Sequence, residues 1–152
     1  MTDTPANSPL AEHVTRLRVR YCECDPMGVA HHASYVPWLE IGRTELLRGS
    51  GTSYAALEAA GVLLVIVKLD MRYRRSARYD DLVEVRTRWV GGSRVKILHE
   101  YEVNVLEPGT PVADFAPFTA VAASTTLACV DRSGSVMELP PWLVHGRGGE
   151  RP

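Results

Sequence analysis

The chain lacks most of the features that would mark an unusual environment or partner. No apolar run approaches the roughly 20 residues a membrane-spanning helix needs, the longest being Gly61 to Val67, so no membrane span is expected. There is no basic excess. Lys and Arg total 17 against 18 Asp and Glu, a net charge of -1 with a pI near 6.5, and nucleic acid, which selects basic surfaces, is not an expected partner. Cys22, Cys24 and Cys129 cannot all pair, and a Cys-x-Cys disulfide would be strained, which argues against a disulfide framework. The first residues show no basic, apolar, small-residue progression of a signal peptide, so a cytoplasmic location is expected. Repeats and low-complexity segments are also missing.

What is present is ordinary globular composition, 45% hydrophobic and 23% charged, in 152 residues, which suits one domain. Residues 1–12 are polar with two prolines and read as a flexible tail, 13–143 as the domain, and 144–152 as a second flexible tail. From His13 the residues alternate, predicting a strand with Leu17, Val19 and Tyr21 turned inward. A helix is predicted from about Ser34 to Arg48, with Pro37 tolerated in its first turn and Gly49-Ser50-Gly51 stopping it. Gly42 in mid-helix costs about 1 kcal/mol relative to Ala and predicts close approach of a sheet or a substrate. A short second helix spans Thr52 to Gly61, capped at Thr52 or Ser53. Val62 to Tyr73 begins as a continuous apolar run, the pattern of a strand buried on both faces. Leu82–Val90 and Val95–Leu106 flank Gly91-Gly92-Ser93 as a hairpin, and Val121–Val130 is the last long strand. One long helix followed by hairpin-linked strands is an α+β pattern in which the helix fills the inner face of an antiparallel sheet.

Chemistry concentrates in Tyr21-Cys22-Glu23-Cys24-Asp25-Pro26-Met27-Gly28-Val29-Ala30-His31-His32-Ala33-Ser34-Tyr35. Asp-Pro followed by Met-Gly is a turn signal and holds the Asp25 carboxylate on a loop. Ser34 is placed to cap the following helix, whose orphan N–H groups then point back toward Asp25. A carboxylate beside a helix N-terminus is a minimal acyl-transfer site: one group attacks or directs water, and the other stabilises an oxyanion. Two other readings of the cluster are weaker. A metal site through Cys22, Cys24, Asp25, His31 and His32 lacks the usual ligand spacing and any second paired motif, and a Cys24-His32 nucleophilic pair lacks an orienting partner.

Cys-Asp-Pro-Met-Gly-Val, then His32-Ala33-Ser34-Tyr35, then Gly42-Arg43-Thr44-Glu45-Leu46-Leu47, resembles the hotdog-fold thioesterases of the 4-hydroxybenzoyl-CoA thioesterase and Tol-Pal-associated acyl-CoA thioesterase type. The resemblance runs from about Arg16 to Leu143 and returns at Tyr79-Asp80-Asp81-Leu82. It departs from the usual pattern at Ser34, where Asn is frequent, and in an apparent insertion at Asp114 to Thr119. It implies a five-stranded antiparallel sheet in the order 1-3-4-5-2 wrapped around one helix, with subunits joining sheets as dimers or dimers of dimers. A homotetramer is expected, with no cofactor and no metal. The implied substrate is an acyl-CoA, or an acyl-carrier-protein thioester, whose acyl group the sequence does not disclose.

By the same resemblance Asp25 is the catalytic carboxylate, as nucleophile or general base, and His32 polarises the carbonyl through its backbone N–H, with the amides of 31 to 33 receiving the oxyanion. His31, Ser34 and Tyr35 are candidate substrate contacts. Arg72, Arg74, Arg75 and Arg78 compete with Ser93, Arg94 and Lys96 for the coenzyme A phosphates, and the second set is preferred because the matching hairpin lies beside the nucleotide in the family. An enoyl-CoA hydratase of the same fold and a non-catalytic acyl-binding protein are the alternative functions. Asp25-Pro26 lacks the Asn of the hydratase phrase, and an intact Asp25 disfavours mere binding.

Overall fold

The computed structural model describes residues 11–144. Alternation makes the first strand, β1 (Ala11–Arg18), in which His13, Thr15 and Leu17 are half-buried while Glu12, Val14, Arg16 and Arg18 face solvent. It begins at Ala11, inside the stretch expected to be tail; the rest of that tail, and the C-terminal one from 145 onward, lie outside the described residues. Val19 stays inward at 1% exposure, but Tyr21 does not, at 82%. The strand has ended by then, and a single 3-10 turn over Tyr21–Glu23 breaks the period of two on which the inward expectation rested.

Four more strands follow: β2 (Leu63–Tyr73), β3 (Leu82–Gly92), β4 (Lys96–Glu107) and β5 (Phe118–Val130). They pair antiparallel in the order β1-β3-β4-β5-β2, the order implied by the resemblance. Val83, Val85 and Thr87 of β3 share the inner face with Ile97, His99, Tyr101, Val103 and Val105 of β4, all buried, whereas Arg86, Arg88, Glu100 and Glu102 take the outer face. The register shifts between Val103 and Asn104, opposite the start of β5, where the sequence carries its apparent insertion.

The long helix, α1 (Tyr35–Gly49), buries Tyr35, Trp38, Leu39, Gly42 and Leu46 at helical spacing and packs on β1 and β3. Gly42 is the contact point: a Cβ there would lie 2.3 Å from Thr87 Oγ1 and 2.9 Å from Val85 Cγ1, so the expected close approach is that of the sheet. A short helix α2 (Tyr54–Ala59) is capped by Ser53, whose hydroxyl accepts the Ala56 N–H at 3.1 Å. Leu139 and Leu143, the second of them on α3 (Pro141–Val144), close a second core cluster with Leu57, Val62, Ile97 and Cys129. Among the described residues no helix is long and apolar enough to cross a membrane.

The expectation for β2 is overturned. Its apolar start is not buried on both faces; Val65, Ile66 and Val67 are 40%, 40% and 54% exposed. Within one chain β2 is an edge strand paired only with β5, and α1 packs on β1 and β3 at the other side of the sheet.

Candidate active site

The chain leaves β1 and is pinned at once. Val19 N–H donates to the Asp81 carbonyl at 3.0 Å and Asp80 N–H to the Val19 carbonyl at 2.9 Å, while the Asp81 carboxylate accepts the N–H groups of Arg78 and Gly109, both at 2.8 Å. The Tyr79-Asp80-Asp81-Leu82 phrase is thus the clamp at the mouth of the loop. Beyond it Cys24 bridges to Ala30, Val29 bridges to Arg78, and Ala30 N–H donates to the Ala77 carbonyl at 2.8 Å. The turn between closes through Gly28 N–H on the Asp25 carbonyl at 2.9 Å, with Gly28 at φ +76. Asp25 Oδ1 accepts the Met27 N–H at 2.9 Å, which fixes the carboxylate and leaves Oδ2 with no donor among the described residues.

A second 3-10 turn, His32–Ser34, leads into α1. Its amides are not equivalent. His31 N–H donates to the Glu23 carbonyl at 2.8 Å and Ala33 N–H to His31 Nδ1 at 3.1 Å, so only the His32 N–H lacks a partner among the described residues. Of the three amides expected to act together at 31 to 33, the turn itself consumes the flanking pair and leaves one unpartnered. The His31 and His32 rings are exposed and lie against each other, tilted by 32° with centroids 4.0 Å apart, and the Tyr73 hydroxyl at the end of β2 donates to the His32 carbonyl at 2.8 Å.

Ser34 does not cap α1. It already has helical backbone angles, which aim its hydroxyl away from the first-turn amides, and that hydroxyl donates to the Glu23 carbonyl at 2.8 Å. Tyr35 stands behind the loop rather than facing solvent: it is 2% exposed, its hydroxyl accepts the Ala77 N–H at 3.1 Å, and burial pushes the phenol up. Ser93, Arg94 and Lys96 are brought together on the β3–β4 hairpin but not with Asp25. The loop leaves β1 beside Leu82, at one end of β3, and the hairpin leaves the other, roughly 30 Å away at about 3.3 Å per residue. There Arg94 pairs with Glu138. Arg78, set aside in the sequence, is the cation whose backbone borders the loop.

Glu23 is the residue sequence reasoning missed. It is 9% exposed, and its carboxylate accepts the Arg20 N–H at 2.8 Å, Arg20 Nε at 3.0 Å and Trp38 Nε1 at 3.1 Å. Burial alone would raise its pKa; the Arg20 N–H, the Trp38 indole and the Arg20 guanidinium together outweigh burial and hold it below the usual carboxylate range. The available signal was Trp38 at helical position four on a buried face, since a buried indole N–H needs an acceptor. Among the described residues no three His, Cys, Asp or Glu side chains converge as a metal site would require.

Residues 19–146 match the family model described as the thioesterase-like superfamily. The chain belongs to that superfamily. It is 30% identical over 123 residues to the putative acyl-CoA thioesterase YneP of Bacillus subtilis (strain 168), covering 79% of this chain and 82% of YneP. To the acyl-CoA thioester hydrolase YbgC of Escherichia coli O6:H1 it is 44% identical over 71 residues, 47% of this chain and 53% of YbgC. The crystal structure of a 4-hydroxybenzoyl-CoA thioesterase mutant complexed with 4-hydroxybenzoyl-CoA superposes with a TM-score of 0.78 at 15% identity, over 90% of this chain and 98% of that one. The fold of this thioesterase-superfamily protein is accordingly the hotdog, its five-stranded sheet curved over α1.

Proposed function

We propose that the protein hydrolyses an acyl-CoA thioester to the free acid and coenzyme A, with Asp25 as nucleophile or general base and the His32 N–H as oxyanion donor. The observation that carries this reading is the combination of a carboxylate held through Oδ1, with Oδ2 free to act, and an unpartnered amide at the entrance of α1. The helix dipole adds to that amide, and both favour negative charge on a bound carbonyl oxygen. Acyl-CoA as the substrate class is supported by the relatives, YneP being named a putative acyl-CoA thioesterase and YbgC an acyl-CoA thioester hydrolase. An acyl-carrier-protein thioester presents the same phosphopantetheine arm. Cytoplasmic coenzyme A esters would place the protein in the cytoplasm. Ser93, Arg94 and Lys96 lie far from Asp25 of their own chain, so we assign a contact with the nucleotide to the substrate of a neighbouring copy.

Replacing Asp25 by Asn keeps the shape and removes the charge. Asp25→Asn is expected to lower kcat by at least about a hundredfold with KM little changed. His32→Ala keeps the amide and is expected to cost less. Steady-state thiol release from a panel of acyl-CoAs tests both: Asp25→Asn within a few fold of native, or His32→Ala as the more damaging change, would overturn the assignment.

A further inference from the structure

Residue 23 joins the two halves of the site from both ends of its own atoms. Through its side chain it reaches back to Arg20 and across to Trp38 on α1. Through its backbone carbonyl it receives the His31 N–H and the Ser34 hydroxyl, both at 2.8 Å. Two residues further on stands Asp25; one residue beyond His31 stands the unpartnered His32 N–H. The peptide unit that carries this N–H is held at its other end, where the His31 carbonyl accepts the Ser34 N–H at 2.8 Å. A buried carboxylate is costly unless fully bonded; the Arg20 N–H, which closes the 3-10 turn as a capping box, takes up one oxygen, and the Trp38 indole, outside the turn, bonds the other.

We propose that Glu23 is a positioning residue for thioester hydrolysis, its carboxylate and carbonyl together fixing the distance between the Asp25 carboxylate and the His32 N–H. This rests on the roles proposed for Asp25 and His32. Every donor on the side chain comes from Arg20 or Trp38, so the loop is referenced to the end of β1 on one side and to α1 on the other. The carbonyl then carries that reference to the turn before the helix. A shift of about 1 Å between reacting groups costs up to about a hundredfold in rate, so a bracket of this kind acts on kcat more than on substrate affinity.

The test is kinetic, on the full chain, with Asp25→Asn measured in parallel. Glu23→Gln is nearly isosteric but turns an amide N–H₂ toward donors that need an acceptor. It is expected to lower kcat per folded enzyme by at least about tenfold, with KM for the acyl-CoA within about threefold. Trp38→Phe, which removes the indole donor, is expected to lower kcat less, and the double variant to fall no further than Glu23→Gln alone, since residues in one network are not additive. A merely structural role would lower the folded fraction and the melting temperature but leave kcat per folded molecule native, and that result overturns the proposal. If Glu23→Gln does not fold, Ser34→Ala and Trp38→Phe carry the test, and native kcat in both overturns it equally. Asp25→Asn with near-native turnover would instead sink the reading of the site; Asp25→Asn dead beside a native Glu23→Gln would sink only the role of Glu23.

Discussion

His99 shows how far the fold controls a single side chain. It lies on the inner face of β4 at 6% exposure, and burial, with the Arg43 guanidinium nearby, pushes its imidazole down to about 4. Between pH 6.5 and 4 the unfolded chain holds a proton at His99 that the native chain does not, so stability falls as the pH drops through that window. Between about pH 7 and 5 the loss is about 2 kcal/mol, at about 1.4 kcal/mol per pH unit once below the unfolded value. Urea unfolding at the two pH values should show it, and His99→Gln should remove that part of the slope. An unchanged slope in the variant would mean that other groups carry the acid sensitivity. Tyr73 makes a second residue-scale case. Its hydroxyl holds the His32 carbonyl, and one neutral hydrogen bond contributes about 0.5–1.5 kcal/mol net. Tyr73→Phe is therefore expected to lower kcat by about three- to tenfold without unfolding the protein. Equal kcat in native and variant enzyme would show that this bond does not hold the turn.

At the scale of elements, Gly42 decides how α1 meets the sheet. Gly42→Ala gains about 1 kcal/mol of helix propensity, but its Cβ meets Thr87 Oγ1 at 2.3 Å and Val85 Cγ1 at 2.9 Å. Overpacking of that kind costs about 1–3 kcal/mol, so a net loss is expected in chemical denaturation, partly recovered in Gly42→Ala/Thr87→Ala. This close approach was legible in the sequence because a glycine inside an apolar helical face weakens the helix, and tight packing against a neighbour is what offsets that loss. The hairpin was legible too, since Gly91-Gly92-Ser93 separates two alternating runs. The partners of the turn amides were not: patterning shows that 31 to 34 begin a helix, but only the return of the chain at Glu23 decides which amide stays unpartnered. Ser34 was misread for the same reason, as its hydroxyl found a carbonyl eleven residues back. Ser93, Arg94 and Lys96 had suitable chemistry but lie at the far end of the sheet, and the distance along a strand is visible only once its pairing is known.

For the whole molecule, β2 poses the question that the single chain leaves open. A continuous apolar run reads as a strand covered on both faces, yet Val65, Ile66, Val67, Leu69 and Tyr73 are exposed along an edge that pairs on one side only. Exposed apolar edge strands invite pairing with another chain, and soluble proteins blunt them when they must remain single. Here Lys68, Asp70 and Arg72 alternate with the apolar positions on the outer face alone, so the inner face of the edge stays apolar. A second copy joined through β2 would continue the sheet across a two-fold axis and cover that face. It would also set a second chain beside Tyr73 and the His32 turn, which a single chain leaves open. A homo-oligomer is thus expected, at least a dimer through β2. Light scattering at micromolar concentration should give at least twice the 16.8 kDa of the chain. Leu69→Asp, which sets a charge on the inner side of the edge, should shift the protein toward monomer and lower kcat/KM along with it. A native protein that scatters as a monomer would refute the assembly, and a monomeric Leu69→Asp with native kcat/KM would show that each chain completes its site alone.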